Sequence, residues 1–183
     1  MAMKGDVLLE FRTERLIIRD FIDTDCQSVH AYASNSLVTK YMIWGPNTEE
    51  QTRAFIQRSI EMQNQLPRVD FELAVTLRAG GGLIGGVGIH VSDLQGEIGY
   101  CLNPDYWGRG YASEAAMEMI RFGFRELGLH RIYATCRPEN DGSSGVMKKI
   151  GMTYEGRLRE HMFHKGKWHD SLQYSILEHE SIE

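Results

Sequence analysis

The segment Asn103-Pro104-Asp105-Tyr106-Trp107-Gly108-Arg109-Gly110-Tyr111-Ala112-Ser113-Glu114 constrains this chain more than any other. It joins a strand-like alternation, Glu97 to Leu102, to a long amphipathic run, about Tyr111 to Leu127. In that run Ala112, Ala116, Met119, Ile120, Phe124 and Leu127 recur at the helical period. Pro104 has no amide hydrogen to give a neighbouring strand, so it ends the first element. Gly108 and Gly110 admit positive φ and let the main chain come close to a ligand. The first amides of the helix that follows have no partner inside it, and the helix dipole is positive there. Amides converging beside the Arg109 guanidinium make an anion site, whose natural guest is a phosphate or pyrophosphate. The letters are neither those of the loop ending in Gly-Lys-Ser/Thr nor those of Gly-x-Gly-x-x-Gly, because Tyr111, Ala112 and Ser113 follow Gly110. The segment predicts a nucleotide-bearing cofactor at a strand-to-helix turn. A plain glycine-containing turn with an exposed arginine is the alternative.

At 183 residues the chain is expected to form one domain, over about 8–180. A net charge of −5 argues against a nucleic-acid binder and suits, weakly, an amine-bearing partner. The start, Met1 to Asp6, carries no apolar leader, and no run reaches the ~18 apolar residues that span a bilayer. Neither secretion nor a membrane is expected, and a reducing cytoplasm is the simplest compartment. Cys26, Cys101 and Cys136 lack Cys-x-x-Cys spacing, which signals neither a disulfide framework nor zinc. His161, His164 and His169 do not share one strand face, so no metal site is expected.

Elsewhere, Leu8 to Arg19 reads as one strand, and Asp23 or Thr24 as the cap of a short helix through about Ser34. Thr48-Glu49-Glu50-Gln51 has capping-box spacing before a helix. Asp70 to Leu77 and Leu83 to Val91 read as strands around a hairpin turn at Ala79 to Gly82. Arg131 to Cys136 reads as a strand, Asn140 to Ile150 as a short helix, and Met152 to Glu160 and Lys167 to Leu177 as strands about a Lys165-Gly166 turn. Helices interleave with strands, which predicts an α/β sheet covered by helices.

This order, with Gly-Arg-Gly between a strand and a long helix, resembles the GNAT N-acetyltransferases, and within them the RimJ/RimL-type branch of ribosomal-protein N-terminal acetyltransferases. The matching pieces are Thr13 to Arg19, Glu97-Ile98-Gly99-Tyr100, Trp107 to Ala115, then Asn140, Ser143 and Val146, Lys149 to Met152, and Tyr154 to Arg159. The resemblance covers about residues 10–178. It implies an α/β (α+β mixed) GNAT fold, a twisted, mostly antiparallel sheet of about seven strands with about four helices. It also implies acetyl-coenzyme A as cofactor, with coenzyme A as product.

By the same resemblance Trp107, Gly108, Arg109, Gly110, Tyr111, Ala112 and Ser113 hold the pyrophosphate. Trp107 stands where much of the family has Gln or Arg. Tyr100, Cys101 and Leu102 pair through their main chain with the pantetheine arm like an added strand, and Asn140 bonds the cofactor near its thioester. Many members protonate the leaving thiolate with a Tyr where this chain has Met147, and in this branch Ser143 takes that role. Ser143 also reads as a helix cap. Glu97 is the candidate base, directly or through a water, and also reads as a solvated strand-end residue. Cys101 is a weaker alternative, as an acyl-accepting nucleophile.

The expected activity is direct acetyl transfer in a ternary complex to a primary amine, the branch suggesting a protein N-terminus. A small amine (polyamine, amino acid or aminoglycoside) and a catalytically weak acetyl-coenzyme A sensor stay open. So does a homodimer.

Overall fold

The computed structural model describes residues 8–181. The Met1 to Asp6 start, read above for a leader, lies outside the described residues. The elements are β1 (Glu10–Arg12), β2 (Leu16–Asp20), α1 (Cys26–Ala33), α2 (Ser36–Thr39), α3 (Glu49–Gln63), β3 (Asp70–Leu77), β4 (Leu83–Ser92), β5 (Gln95–Leu102), α4 (Tyr111–Arg125), β6 (Arg131–Cys136), α5 (Asp141–Lys149), β7 (Thr153–His164) and β8 (Lys167–Leu177).

The extra strand arises because Leu8 to Arg19 folds back on itself. The Thr13 hydroxyl accepts the Leu16 amide at 3.1 Å, and the Thr13 amide donates to the Leu16 carbonyl at 3.0 Å. Nothing in Thr13-Glu14-Arg15 announces a turn, since it has no Gly, Pro or Asn. The extra helix, α2, is a single turn capped by Asn35. Neither Asp23 nor Thr24 caps α1. A 3₁₀ turn, Asp23–Asp25, leads into it, and Asp25 pairs with Arg19 at 2.8 Å. The capping box at Thr48 and Gln51 is formed reciprocally, at 3.2 and 2.8 Å. The last two strands run on to a turn at Lys165-Gly166, past an irregularity where Glu160 takes φ 47°.

The strands form one sheet in the order β1-β2-β3-β4-β5-β6-β8-β7. Every neighbouring pair is antiparallel except β5 and β6. One face carries α4 and α5 over a core that includes Ile84, Ile98, Met119, Ile120, Ile132, Met147 and Ile150. The opposite face carries α1 and α3 over Phe21, Val29, Tyr32, Ile56 and Ala74. Each fully buried aliphatic side chain of this kind contributes about 1.5–3 kcal/mol.

The parallel pair positions the site. It holds for three residue pairs, Gln95↔Arg131, Gly96↔Ile132 and Glu97↔Tyr133, and then stops. Beyond Glu97 the two strands part, β5 staying with β4 and β6 with β8. The loop to α4 and the N-terminus of α5 lie at the open end of this gap. No helix among the described residues is long and apolar enough to cross a membrane.

Candidate active site

The loop after β5 is pinned to the strand it leaves. Asn103 accepts the Asp105 amide at 3.1 Å, a 3₁₀ turn covers Pro104–Tyr106, and the Trp107 indole N–H donates to the Leu102 carbonyl at 2.8 Å. Gly108 and Gly110 take φ 72° and 82°, the left-handed region that favours glycine. Gly110 is the N-cap of α4 and has no side chain with which to cap it. The first ladder bond is Glu114 N–H to the Gly110 carbonyl, at 3.1 Å, so the amides of Tyr111, Ala112 and Ser113 precede the ladder.

Two cations join this end that the sequence did not signal. Arg15, from the unannounced β1–β2 turn, donates to the Arg109 carbonyl at 2.9 Å and pairs with Glu114 at 2.7 Å. A Cβ placed on Gly110 would lie 3.4 Å from an Arg15 guanidinium nitrogen and 3.5 Å from the Lys149 ammonium. Burial of the Glu114 carboxyl is outweighed by its bonds from Thr13 and Arg15, which hold it below the usual carboxylate range. Glu114 is therefore a fixed anion that aims Arg15. Free amides, an uncapped left-handed glycine and the cations Arg15, Arg109 and Lys149 fit a diphosphate.

In the gap itself, the α5 cap is Asn140, whose side chain accepts the Ser143 amide at 3.2 Å. The reading of Ser143 as the cap is thus replaced. Its hydroxyl instead lies 3.1 Å from the Tyr100 hydroxyl, which donates to the Ser143 carbonyl at 2.9 Å. Burial pushes the Tyr100 phenol up and the Ser143 contact pulls it partly back, so it stays protonated. Met147 is 1% exposed and fills core. Leu102 is buried on the same side. Cys101 points to the opposite face, against the cluster around Tyr32, and burial pushes its thiol up to about 12. A thiol so seldom ionised is a poor nucleophile. Cys136 is buried and its thiol likewise raised by burial.

Register sets the composition of that opposite face. Asp70↔His90↔Glu97 form one row across β3, β4 and β5, and Glu72↔Gly88↔Gly99 the next. Directly paired residues share a face, so Asp70, Glu72, His90 and Glu97 look the same way. The Tyr133 hydroxyl donates to Glu97 at 3.3 Å. Burial, and then the Glu97 charge, raise the Tyr133 pKa. A cavity of about 290 Å³ opens beside Glu97, lined also by His90, Asp93, Arg131, Tyr133 and His161. A Cβ on Gly99 would meet nothing within 4 Å, whereas one on Gly88 would lie 2.9 Å from a Glu72 carboxylate oxygen. Burial, then the nearby Asp70 charge, raise the Glu72 carboxyl to about 7 against the pull of Arg58.

Glu72 is not marked as a site residue by its neighbours in the sequence. Its in-phase spacing with Asp70 was visible, but the glycines facing it lie on other strands. The three histidines do not converge. His164 and His169 stack at 3.9 Å, and His161 contacts Ser171 at 3.0 Å. Among the described residues no group of three metal-ligating side chains forms.

A strand that parts from its parallel neighbour and leads into a glycine turn with unpaired amides and cations at the start of α4 suits a donor that carries a nucleotide. The comparisons give the family. The acetyltransferase (GNAT) domain family matches residues 15–153. The uncharacterized N-acetyltransferase YnaD of Bacillus subtilis (strain 168) is 41% identical over 174 residues, 94% of this chain and 99% of that protein. Spermidine N(1)-acetyltransferase of Escherichia coli (strain K12) is 26% identical over 161 residues, 86% of this chain and 83% of that one. A GNAT-family acetyltransferase from Bacillus anthracis superposes with TM-score 0.84 at 40% identity, over 93% of this chain and 99% of that one. RimL, a ribosomal L7/L12 α-N-protein acetyltransferase solved with coenzyme A, shares the fold at TM-score 0.79 and 18% identity, over 90% and 95%. The chain belongs to the GNAT acetyltransferases, and is an acetyl-coenzyme A-dependent N-acetyltransferase.

Proposed function

We propose that residues 8–180 form one acetyltransferase domain that moves an acetyl group directly from acetyl-coenzyme A to a primary amine, the N-terminal amine of a protein. The observation that carries the reading is the parting of β5 from β6 after Glu97, between the α4 N-terminus and Asn140. Gly108 to Ser113, with Arg109, Arg15 and Lys149, hold the pyrophosphate. Trp107 fixes their loop through Leu102. Tyr100, Cys101 and Leu102 offer main chain to the pantetheine arm, and Asn140 bonds it near the thioester. The thioester supplies an acyl carbon activated for attack and a thiolate leaving group. Ser143, held by Tyr100, is the hydrogen-bond donor for that sulfur. Glu97 engages the amine, as base directly or through a water.

The protein acceptor rests on the likeness to ribosomal-protein acetyltransferases such as RimL. A small polycationic amine is the second reading, favoured by the carboxylates Asp70, Glu72 and Glu97 on the acceptor face and by the spermidine-acetylating relative. The test is free-thiol release from acetyl-coenzyme A with Ser-, Ala- and Met-first peptides, spermidine and an aminoglycoside. Turnover on peptides alone supports the first reading, and turnover on spermidine alone replaces it. With the productive amine, Ser143→Ala should lower kcat about 10-fold or more with little change in coenzyme affinity. An unchanged kcat removes Ser143 from the chemistry.

A further inference from the structure

The acceptor face holds two carboxylates in different settings. Glu97 accepts the Tyr133 hydroxyl and borders a cavity with Arg131. Glu72 accepts no hydrogen bond from any described residue, and its carboxylate lies over Gly88, in the space where any other residue would put its Cβ. Gly88 pairs with Gly99, and the space above Gly99 is open. A carboxylate recessed over one glycine, beside an unfilled position over the next, keeps its lone pairs for whatever enters there. Gly99 immediately precedes Tyr100, which reaches Ser143 on the other side of the sheet. The open position therefore adjoins the stretch of β5 proposed to run beside the pantetheine arm.

We propose that Glu72 is the residue that receives the acceptor ammonium's proton, while Glu97 holds the ammonium in place. This rests on the amine-acetylation reading above and changes one step of it: the base is Glu72, and Glu97 keeps only the binding of the amine. The first proton passes from the ammonium nitrogen to a Glu72 oxygen and later to solvent. The freed nitrogen lone pair forms the C–N bond as the C–S bond breaks. The nitrogen's second proton balances the one that Ser143 gives to the sulfur, so amide and free thiol result.

The groups facing Glu72 are Asp70 beside it on β3, Arg58 from α3, Tyr32 from α1, and His90 and Glu97 from β4 and β5. His90 is paired with Asp70. Burial and Asp70 disfavour the carboxylate, and Arg58 favours it, leaving a group that exchanges a proton at about 7. A base works best near the operating pH.

The test is the pH profile of kcat/KM for Glu72→Gln and Glu97→Gln against the wild type, with a Ser-first peptide and with spermidine. Glu72→Gln should lose about 100-fold at neutral pH, lose the acid limb near 7, and recover as pH rises and the amine deprotonates itself. Glu97→Gln should raise KM and keep the limb. Glu72→Asp is the second variant should Gln fold poorly. It should keep a limb at reduced rate. A limb that vanishes with Glu97→Gln and survives Glu72→Gln overturns the assignment. A separate readout needs neither substrate. Infrared spectra of the isolated protein, wild type against variant, should contain one carboxyl protonating near 7 that the Glu72 variants lose or shift. Absence of that carboxyl overturns the proposal whatever the amine panel gives. No turnover with the carboxyl present would strike the acceptor reading instead.

Discussion

The two ends of the proposed active site are built in opposite ways. The phosphate end is contiguous, with most of its groups between Trp107 and Ser113 and held by local bonds. The acceptor face is assembled from single residues on β3, β4, β5 and β6, and its shape depends on glycines at 88 and 99 as much as on side chains. Main-chain amides tolerate change in most side chains around them. A face set by strand register does not, since one residue of slip turns every carboxylate to the other side.

That contrast can be broken at either end. The largest effect should come from Gly110→Asp. It asks a non-glycine residue to take φ 82°, and it places a carboxylate against Arg15 and Lys149, where the diphosphate is proposed to sit. Calorimetry should show acetyl-coenzyme A affinity falling about 100-fold or more, equivalent to about 3 kcal/mol. Unchanged affinity would remove the phosphate site from α4.

Gly99→Val should act on the other end alone. The position has open space and lies within a strand that suits a β-branched residue. The melting temperature and coenzyme affinity should hold while acceptor KM rises about 10-fold or more through lost space. A normal acceptor KM would place the amine elsewhere.

The smallest effect concerns stability. Glu72 keeps its proton to about 7 when folded, against an ordinary value of 4.5. Between those values the folded chain binds more protons than the unfolded one, so this group lowers stability as pH rises through the window. Glu72→Gln removes that loss. It should raise the melting temperature by a few degrees at pH ~8, an effect on the order of 1–2 kcal/mol, and change little at pH ~5. Equal shifts at both pH values would mean that the carboxyl is not perturbed. A variant that is steadier yet slower is the usual trade where a site stores an unfavourable charge.

How much could be read in advance follows the same division. Gly108-Arg109-Gly110 and the helical period after it located the strand-to-helix turn and α4, because turn and helix are written in consecutive letters. The hairpin turn at Gly80 to Gly82 and the box at Thr48 were legible for the same reason. The turn at Thr13 to Arg15 was not, since it is closed by a threonine hydroxyl, and with it went the contribution of Arg15. Lys149 lies 39 positions beyond Gly110 and reaches it only through the packing of α5. Of the two readings of Ser143 the structure removes the cap, because the Asn140 side chain takes it. Glu72 could not be found without knowing that Gly88 and Gly99 lie opposite it.

Among the described residues, the main-chain seam between two halves of the sheet, β1 to β5 and β6 to β8, is short: three residue pairs between β5 and β6, with the Leu94 carbonyl accepting the His130 amide just before them at 2.8 Å. A ligand bonded to both sides of that seam acts as a stitch, and mass action then sets how firmly the halves are joined. At a hundredfold excess over Kd, bound coenzyme adds about 2.7 kcal/mol to folding stability. Coenzyme supply would thus govern the lifetime of the enzyme as well as its rate.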